Sequence, residues 1–476
     1  MMRRNDEPLN QTNETQPGLA EENEAMRRVR ALTSGARPRY YIETFGCQMN
    51  VHDSEKLAGM LERMGYAETE EKQDAGLILM NTCCVREHAE SKALGHLGAL
   101  VAYKRENPDL VVAVCGCMMQ QKDVALRVRQ RFPFVDIVFG THNLHRFALM
   151  LLRVLENRVR VFEVCTQAGN VVEGVPVKRR KGAQAFVTIM YGCTNFCSYC
   201  IVPYVRGPER SRAAQDILTE ARKLTKSGVK EITLLGQNVN SYGKDLPHGP
   251  AFADLLRDIA EVDGVERIRF MTSHPKDVSA ALIQAMADCP KVCKHIHLPV
   301  QSGSTDVLRA MNRGYTKEEY LGLVARMRDA IPGLEITTDV IVGFPGETDG
   351  DFTETLDLVR KAGFSAAFTF MYSPRAGTPA AKLEGQVPKA VKKERLLTLN
   401  ALVAGMTAEQ NAAYVGLRVR VLVEGVRESG GEKLAYGRTH AAKTVYFTGD
   451  ARPGDIADVT VTHAREVSLY GRQGWE

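Results

Sequence analysis

Residues Tyr191-Gly192-Cys193-Thr194-Asn195-Phe196-Cys197-Ser198-Tyr199-Cys200 set three cysteines in a C-x-x-x-C-x-x-C spacing, directly after a strand-like stretch at 184–190. Thiolates this close can hold three corners of a cubane iron-sulfur cluster and leave its fourth iron without a protein ligand, whereas an electron carrier normally supplies four cysteines. A tetrahedral zinc site would want a fourth Cys or His close by, and no His lies within the loop. The spacing therefore predicts a cluster with one iron open to chemistry, with a zinc site or buried apolar thiols as the alternative.

Outward from this loop, strands and helices alternate. Runs at 184–190, 231–235, 267–271, 295–299, 335–342 and 367–372 read as strands, with helices such as 213–226, 252–262 and 317–330 between them. Six such units predict an incomplete TIM-like (β/α)6 barrel, whose active site belongs at the carboxyl ends of its strands. The cysteine loop follows the first strand at that end. Upstream, strands at 40–45, 76–80 and 110–114 alternate with helices at 54–64 and 91–104, which predicts an open parallel α/β sheet. Downstream, short strands at 418–423, 434–438, 444–448 and 456–461 predict a small OB-like β-barrel. The fold class is α/β, with domains expected at 38–164, 183–415 and 416–476. Residues 1–37, without aromatic residues, read as a disordered or loosely helical tail. Residues 165–182 read as a linker, ending in the basic run Lys178-Arg179-Arg180-Lys181.

A chain of 476 residues suggests several domains, and 44% hydrophobic with 25% charged residues is the composition of a soluble globular protein. The longest apolar run, 147–155, is broken by Arg153 and falls far short of the roughly 20 residues of a membrane span. The N-terminus lacks the apolar stretch of a secretory signal. Eleven cysteines cannot all pair, so a reducing cytoplasm is the expected compartment and no membrane the expected partner. The net charge of +5 permits an acidic partner without arguing for one.

Cysteines also stand in Gly46-Cys47-Gln48-Met49-Asn50, in Asn81-Thr82-Cys83-Cys84-Val85-Arg86 and in Cys115-Gly116-Cys117-Met118, each just past an expected strand. Loops at the carboxyl ends of parallel strands converge on one crevice. Position alone leaves open both a shared metal site and small buried hydrophobes.

These motifs, followed by GCTNFCSYCIVPYVRG, GQNVNSYG, HLPVQSGS and DVIVGFPGET, resemble the methylthiotransferase family of radical S-adenosylmethionine (SAM) enzymes from about Tyr40 to the C-terminus. The resemblance implies two 4Fe-4S clusters, one on Cys47, Cys83 and Cys117 and one on Cys193, Cys197 and Cys200. Cys84 and Cys115 depart from the pattern, and each could substitute for its neighbour. Cys165, Cys289 and Cys293 read as structural. SAM would bind the second cluster's open iron, be cleaved to a 5′-deoxyadenosyl radical, and be contacted by Gly236, Gln237 and Asn238, where the superfamily usually has Gly-Gly-Glu. Gln301, Ser302 and Gly343 would line the adenosyl pocket, with ordinary turn roles as the alternative. His274, His295 and His297 read as neutral, hydrogen-bonded side chains. No catalytic side chain beyond the cluster ligands is assigned, because no general base deprotonates carbon 2 of an adenine.

The segments NTC-x-VREHAE, CIVPYVRGPERSR and YGRTHAAKTVYF favour the branch of the family that acts on isopentenylated (dimethylallyl) adenosine in tRNA. The other branches take threonylcarbamoyladenosine in tRNA or a ribosomal-protein aspartate. The C-terminal barrel resembles a TRAM domain, with Arg438, Lys443 and Arg465 as candidate phosphate contacts, and Arg206, Arg210 and Arg212 are candidates for steering the anticodon stem-loop. A sulfur source and a reductant protein such as flavodoxin or ferredoxin are implied partners. Without the resemblance, a noncatalytic iron-sulfur RNA-binding protein is the competing reading.

Overall fold

The computed structural model describes residues 19–35, 38–84, 87–165, 167–169, 171–179, 182–429 and 431–474. The chain divides into two compact units. One takes the N-terminal residues up to the linker together with Tyr191–Thr194 and Ile201–Arg210; the other takes the segment leading to Met190, Asn195–Cys200 and everything from Ser211.

The first unit contains α1 (Leu19–Thr33), β1 (Arg39–Thr44), α2 (Gln48–Arg63), β2 (Ala67–Glu68), β3 (Leu77–Thr82), α3 (Glu87–Glu106), β4 (Val111–Gly116), α4 (Lys122–Arg131), β5 (Ile137–Phe139), α5 (Phe147–Asn157), β6 (Val161–Glu163) and the short α6 (Val202–Arg206). Its strands form one parallel sheet in the order β2-β1-β3-β4-β5-β6. β3 (LILMNT) and β4 (VVAVCG) are buried at every position, as a parallel strand covered on both faces must be. Alternate residues enter two cores: Ile78, Met80, Val112 and Val114 on one face, Leu77, Leu79, Val111 and Ala113 on the other.

Part of the expected tail is corrected. Leu19–Thr33 is a helix whose Ala25, Met26 and Val29 join the second of these cores. The stripe is only three small or medium residues wide, too narrow to stand out from a polar segment. Residues 1–18, 36 and 37 lie outside the described residues, as do Arg180 and Lys181 of the basic run and Val85 and Arg86 of the second motif. Lys178 and Arg179 are not solvated linker charge: Lys178 pairs with Glu62 and Glu68, and Arg179 with Glu55.

Two-residue strands β8 (Met190–Tyr191) and β9 (Arg210–Ser211) lie where the chain passes between units. The second unit holds β7 (Gln184–Thr188), α7 (Ala214–Lys226), β10 (Glu231–Leu235), α8 (Phe252–Ala260), β11 (Arg267–Phe270), α9 (Ala280–Asp288), β12 (His295–His297), α10 (Thr305–Ala310), α11 (Lys317–Ala330), β13 (Glu335–Val342), α12 (Asp349–Ala362), β14 (Ala366–Met371) and α13 (Lys389–Ala412). The six expected βα units are present as two parallel three-stranded sheets, β11-β10-β7 and β12-β13-β14. A bridge between Ile268 and Val292 adds a parallel pairing just before β12. The α/β class and the partial barrel are as expected.

After α13, β15 (Arg418–Ser429), β16 (Glu432–Thr439), β17 (Thr444–Thr448), β18 (Ile456–Ala464) and β19 (Leu469–Gln473) close a small barrel in the order β15-β16-β17-β19-β18. The fifth strand was not read from the sequence; it pairs parallel to β17 and closes the ring. Two arginines of β11 anchor this barrel: Arg267 donates to the carbonyls of Arg438 and Arg420, and Arg269 to those of Thr439 and His440.

Candidate functional site

In the first unit the three cysteine motifs follow β1, β3 and β4, at the carboxyl end of the sheet. The glycines of both Gly-Cys pairs are required. Gly46 (φ +112°) and Gly116 (φ +98°) adopt conformations costly for other residues. A Cβ on Gly46 would lie 2.6 Å from Cys83 Cβ, and one on Gly116 would strike the Thr82 carbonyl. Small residues let the loops approach. Cys47 is the N-cap of α2, whose helix begins earlier than the expected 54–64, and it is exposed. An anionic group at that end is favoured by the unpaired N–H groups and the helix dipole. Cys83 and Cys117 are buried.

Two asparagines tie the loops together. Asn50 Nδ2 donates to the carbonyls of Phe45 (2.8 Å) and Thr82 (3.0 Å). Asn81 Nδ2 donates to the Asn50 carbonyl (2.8 Å) and to Ser54 Oγ (3.0 Å). The Arg206 guanidinium, 5% exposed, enters the same place. Its Nε donates to Cys117 Sγ (3.3 Å), and its Nη2 to Asn50 Oδ1 (2.8 Å) and Asp53 Oδ2 (2.8 Å). Cys117 is held at about 6 by a hydrogen bond from Cys84 and by the Arg206 charge, against burial. Cys84 is correspondingly pushed well up. A metal ligand must be a thiolate, and the contacts from Cys84 and Arg206 favour that form at Cys117. Cys115 belongs to the core on the other face of the sheet from Cys83, Cys84 and Cys117. Among the described residues no three His, Cys, Asp or Glu side chains converge as the ligands of a single metal ion would.

The second cysteine loop is held in two halves. In the first unit, Lys56 Nζ donates to Tyr191 Oη (2.7 Å) and the Cys193 amide to the Gly207 carbonyl (3.0 Å). In the second unit, Ser198 is fixed by Met311, Ala310 and Ala380, and Asn312 Nδ2 donates to the carbonyls of Asn195 and Phe196. Tyr199 packs against a small core that includes Met311, Phe344 and Tyr372. Cys197 is buried, and Arg313 Nη1 donates to its Sγ at 3.4 Å. Arg313 also donates to Pro299 O (2.8 Å) and Tyr315 Oη (3.0 Å).

The barrel's strand ends carry polar atoms with no protein partner. Asn238 Oδ1, both amide atoms of Asn240, Ser273 Oγ, His274 Nε2 and Tyr372 Oη are all buried and unpartnered, and they follow β10, β11 and β14. Buried polar groups are otherwise nearly always hydrogen-bonded, so orphans gathered at strand ends mark the place of a polar ligand. Thr272 (φ +71°) and Gln301 (φ +70°) are strained there as well. SAM, with its amino, carboxylate, hydroxyl and adenine groups, fits such a donor set.

The expected SAM contacts divide. Gly236 leaves space for Met190, since a Cβ would lie 2.6 Å from Met190 Cγ. Asn238 donates to Asp277 (2.8 Å) and leaves its oxygen free. Gln237 keeps partial exposure, and Gln301 is buried, at 8% exposure. Ser302 is completely buried, its hydroxyl against Thr355 and the Ser304 amide. At Gly343 the space for a Cβ is filled by the Lys392 stem. Asn240, Ser273 and His274 were not assigned to the pocket from the sequence; only the orphaned atoms reveal them. Burial depresses His274 to about 2 and His295 to about 3. His295 and His297 both contact Thr337 Oγ1 at 3.0 Å.

The candidate cations are redistributed. Arg206 and Arg212 are buried, Arg212 on Thr188 O and Glu220, and Arg210 donates to the carbonyls of Gly169 and Arg206. None of the three is an open cation for RNA, which corrects the steering role. Arg438 pairs with Glu424 (2.5 Å) and Lys443 with Asn411 (3.0 Å). Arg465 is exposed over the Tyr470 ring, 4.9 Å from its centroid. It ends a belt that runs across four paired strands: Tyr436, Tyr446, Tyr470 and His463, with successive centroids 5.9, 5.5 and 4.5 Å apart. Exposed Arg427 lies 3.8 Å over Tyr446.

Comparison with known proteins agrees with this architecture. Residues 187–359 match the Radical SAM superfamily, 39–140 the uncharacterized protein family UPF0004 and 412–473 the TRAM domain. Among solved structures, a radical S-adenosylmethionine methyltransferase from Kitasatospora setae is similar in fold, with a TM-score of 0.53 at 15% identity over 72% of this chain and 74% of that one. Proteins named tRNA-2-methylthio-N(6)-dimethylallyladenosine synthase are far closer in sequence. That of Acetivibrio thermocellus is 53% identical over 92% of each chain. That of Caldicellulosiruptor saccharolyticus is 53% identical over 96% of this chain and 97% of its own. With this identity over nearly the whole length, the chain belongs to the family of tRNA-2-methylthio-N(6)-dimethylallyladenosine synthases.

Proposed function

We propose that this protein is a radical SAM methylthiotransferase that adds a methylthio group to carbon 2 of isopentenylated adenosine beside the anticodon of tRNA. The observation that carries the reading is the presence in one chain of two cysteine triads, each tied to the carboxyl ends of a parallel sheet and each with one thiol bonded by a buried arginine. Cys47, Cys83 and Cys117 would hold one 4Fe-4S cluster, and Cys193, Cys197 and Cys200 the other. Cys115, packed in the opposite core, is no substitute for Cys117. Bound there, the clusters and SAM supply the radical and sulfur chemistry that an unactivated aromatic carbon requires.

The chain's own residues hold and orient. Gly236, Gln237, Asn238 and Gln301 border the SAM site, with Asn240, Ser273 and His274 beside them, while Ser302 and Gly343 support its wall from behind. His274 is neutral and offers Nε2 as a hydrogen-bonding atom without a charge. On the TRAM barrel the tyrosine belt gives unpaired bases a stacking surface, and Arg427 and Arg465 face phosphate. A reductant protein and a sulfur source complete the reaction in the cytoplasm.

Mass spectrometry of tRNA nucleosides from cells lacking the protein tests this. Isopentenyladenosine should accumulate and its 2-methylthio derivative disappear. A normal level of that derivative, with loss of methylthiolation on threonylcarbamoyladenosine or a ribosomal aspartate, would overturn the substrate assignment.

A further inference from the structure

Arg206 stands six residues beyond the second cysteine loop in sequence, yet its guanidinium is buried among the first triad. Its three polar contacts are with groups of that site: the Cys117 thiol, the Asn50 amide oxygen and the Asp53 carboxylate. The next residue, Gly207, accepts the Cys193 amide through its carbonyl. One side chain and one peptide thus join a cysteine of each triad within the first unit. Phosphate recognition is not open to a guanidinium in this position, and a purely structural role would not require it to address sulfur.

We infer that Arg206 is a positioning residue for the auxiliary cluster: its N–H donates to the Cys117 thiolate, orients that ligand and raises the cluster's reduction potential. The inference rests on the reading that Cys47, Cys83 and Cys117 bind a cluster. Hydrogen bonds to sulfur and nearby positive charge set iron-sulfur potentials, because they stabilise the reduced, more negative state. Outer partners of metal ligands commonly fix ligand orientation in the same way. Asp53 balances the guanidinium charge in part, so the directional N–H···S bond carries much of the effect.

The test uses the full chain with Cys193, Cys197 and Cys200 replaced by alanine, so that only the auxiliary cluster reports. Arg206→Lys, Arg206→Met and the charge-balanced pair Arg206→Met with Asp53→Asn are reconstituted anaerobically. Iron content and the midpoint potential, followed by electron paramagnetic resonance, are the readouts. About four irons should remain in at least the Lys and double variants. The one-electron reduction equilibrium of the double variant should shift about tenfold toward the oxidised cluster, about 59 mV, and that of the Lys variant by less. Four irons with an unshifted potential would overturn the proposal alone. Loss of iron from both the Lys and the double variant would make Arg206 structural and overturn it too. A triple-cysteine background that binds no iron would overturn the triad reading itself.

Discussion

The two cysteine triads are assembled by opposite routes. In the first unit the triad is drawn from three loops spread over residues 47–117, brought together by a parallel sheet, two glycines and two asparagines. In the second cysteine loop all three lie within eight residues, so chain connectivity does most of that work. Each site buries an arginine on one sulfur, Arg206 on Cys117 and Arg313 on Cys197. Their counterions differ. Arg206 has the Asp53 carboxylate at 2.8 Å, while the other contacts of Arg313 are a carbonyl and a phenol, both neutral. A buried cation without a carboxylate must find its balancing charge elsewhere, and among the described residues no carboxylate bonds Arg313. The first site is neutralised by protein; the second is left for its occupants to neutralise.

The largest effects should come from removing the sulfurs. Wild-type protein should bind about eight irons per chain and the Cys193/Cys197/Cys200→Ala variant about four. A result near zero or eight would break the comparison, because the sites would not be separate. Cys197→Ala should abolish 5′-deoxyadenosine formation from SAM and dithionite while leaving the circular dichroism melt in place; undiminished product would refute the assignment of that loop.

Next come the arginines. Arg313→Met should lower 5′-deoxyadenosine formation by roughly 10–100-fold, the range seen when outer partners of metal ligands are removed. Arg206→Met should lower it less, since its sulfur belongs to the other triad. Equal losses would mean that the contrast in counterions has no functional consequence.

Much of this was legible in sequence, for physical reasons. The barrel strands are short apolar runs between turn residues, and the observed strands 231–235 and 335–342 match those runs residue for residue. The cysteine loop is local, so spacing alone exposed it. The role of Arg206 was not legible. In sequence it is one of several arginines after the loop, and only the approach of α6 to the carboxyl end of β4 separates a buried sulfur partner from a solvated charge. The aromatic belt was hidden for the same reason: Tyr436, Tyr446, Tyr470 and His463 meet only through strand register. Thr272 and the orphaned atoms of Asn240, Ser273 and His274 carry no pattern that periodicity could reveal.

The aromatic belt gives a smaller, separable effect. Tyr446→Ala should weaken tRNA binding about tenfold, since stacking is worth about 1–3 kcal/mol per base, with little change in salt dependence. Arg427→Ala and Arg465→Ala should each reduce the salt slope by about one. SAM cleavage without tRNA should be untouched in all three. Point variants are preferable to deleting 416–476, which would leave Arg267 and Arg269 without their barrel carbonyls.

The smallest expected effect carries the contrast between balanced and unbalanced burial away from the cysteines. Glu22 of α1 is 2% exposed, and burial raises its carboxyl from 4.5 to about 8, with Arg146 opposing the shift. Arg146 is paired with Glu163 at 2.6 Å, so it cannot serve Glu22 fully, and the carboxyl stays protonated near neutrality. A raised folded-state pKa means that the folded protein holds this proton more tightly than the unfolded chain. The stabilising contribution is therefore complete below about 4.5, declines as pH rises and is gone above about 8. The slope can reach about 1.4 kcal/mol per pH unit. Hydrogen exchange of α1 amides, corrected for intrinsic rates, should show protection falling as pH rises from about 4.5 to about 8, and Glu22→Gln should flatten the profile. Retained protection at the higher pH in the wild type would show that Arg146 balances Glu22 as Asp53 balances Arg206, and the carboxylate would then be charged in the folded protein.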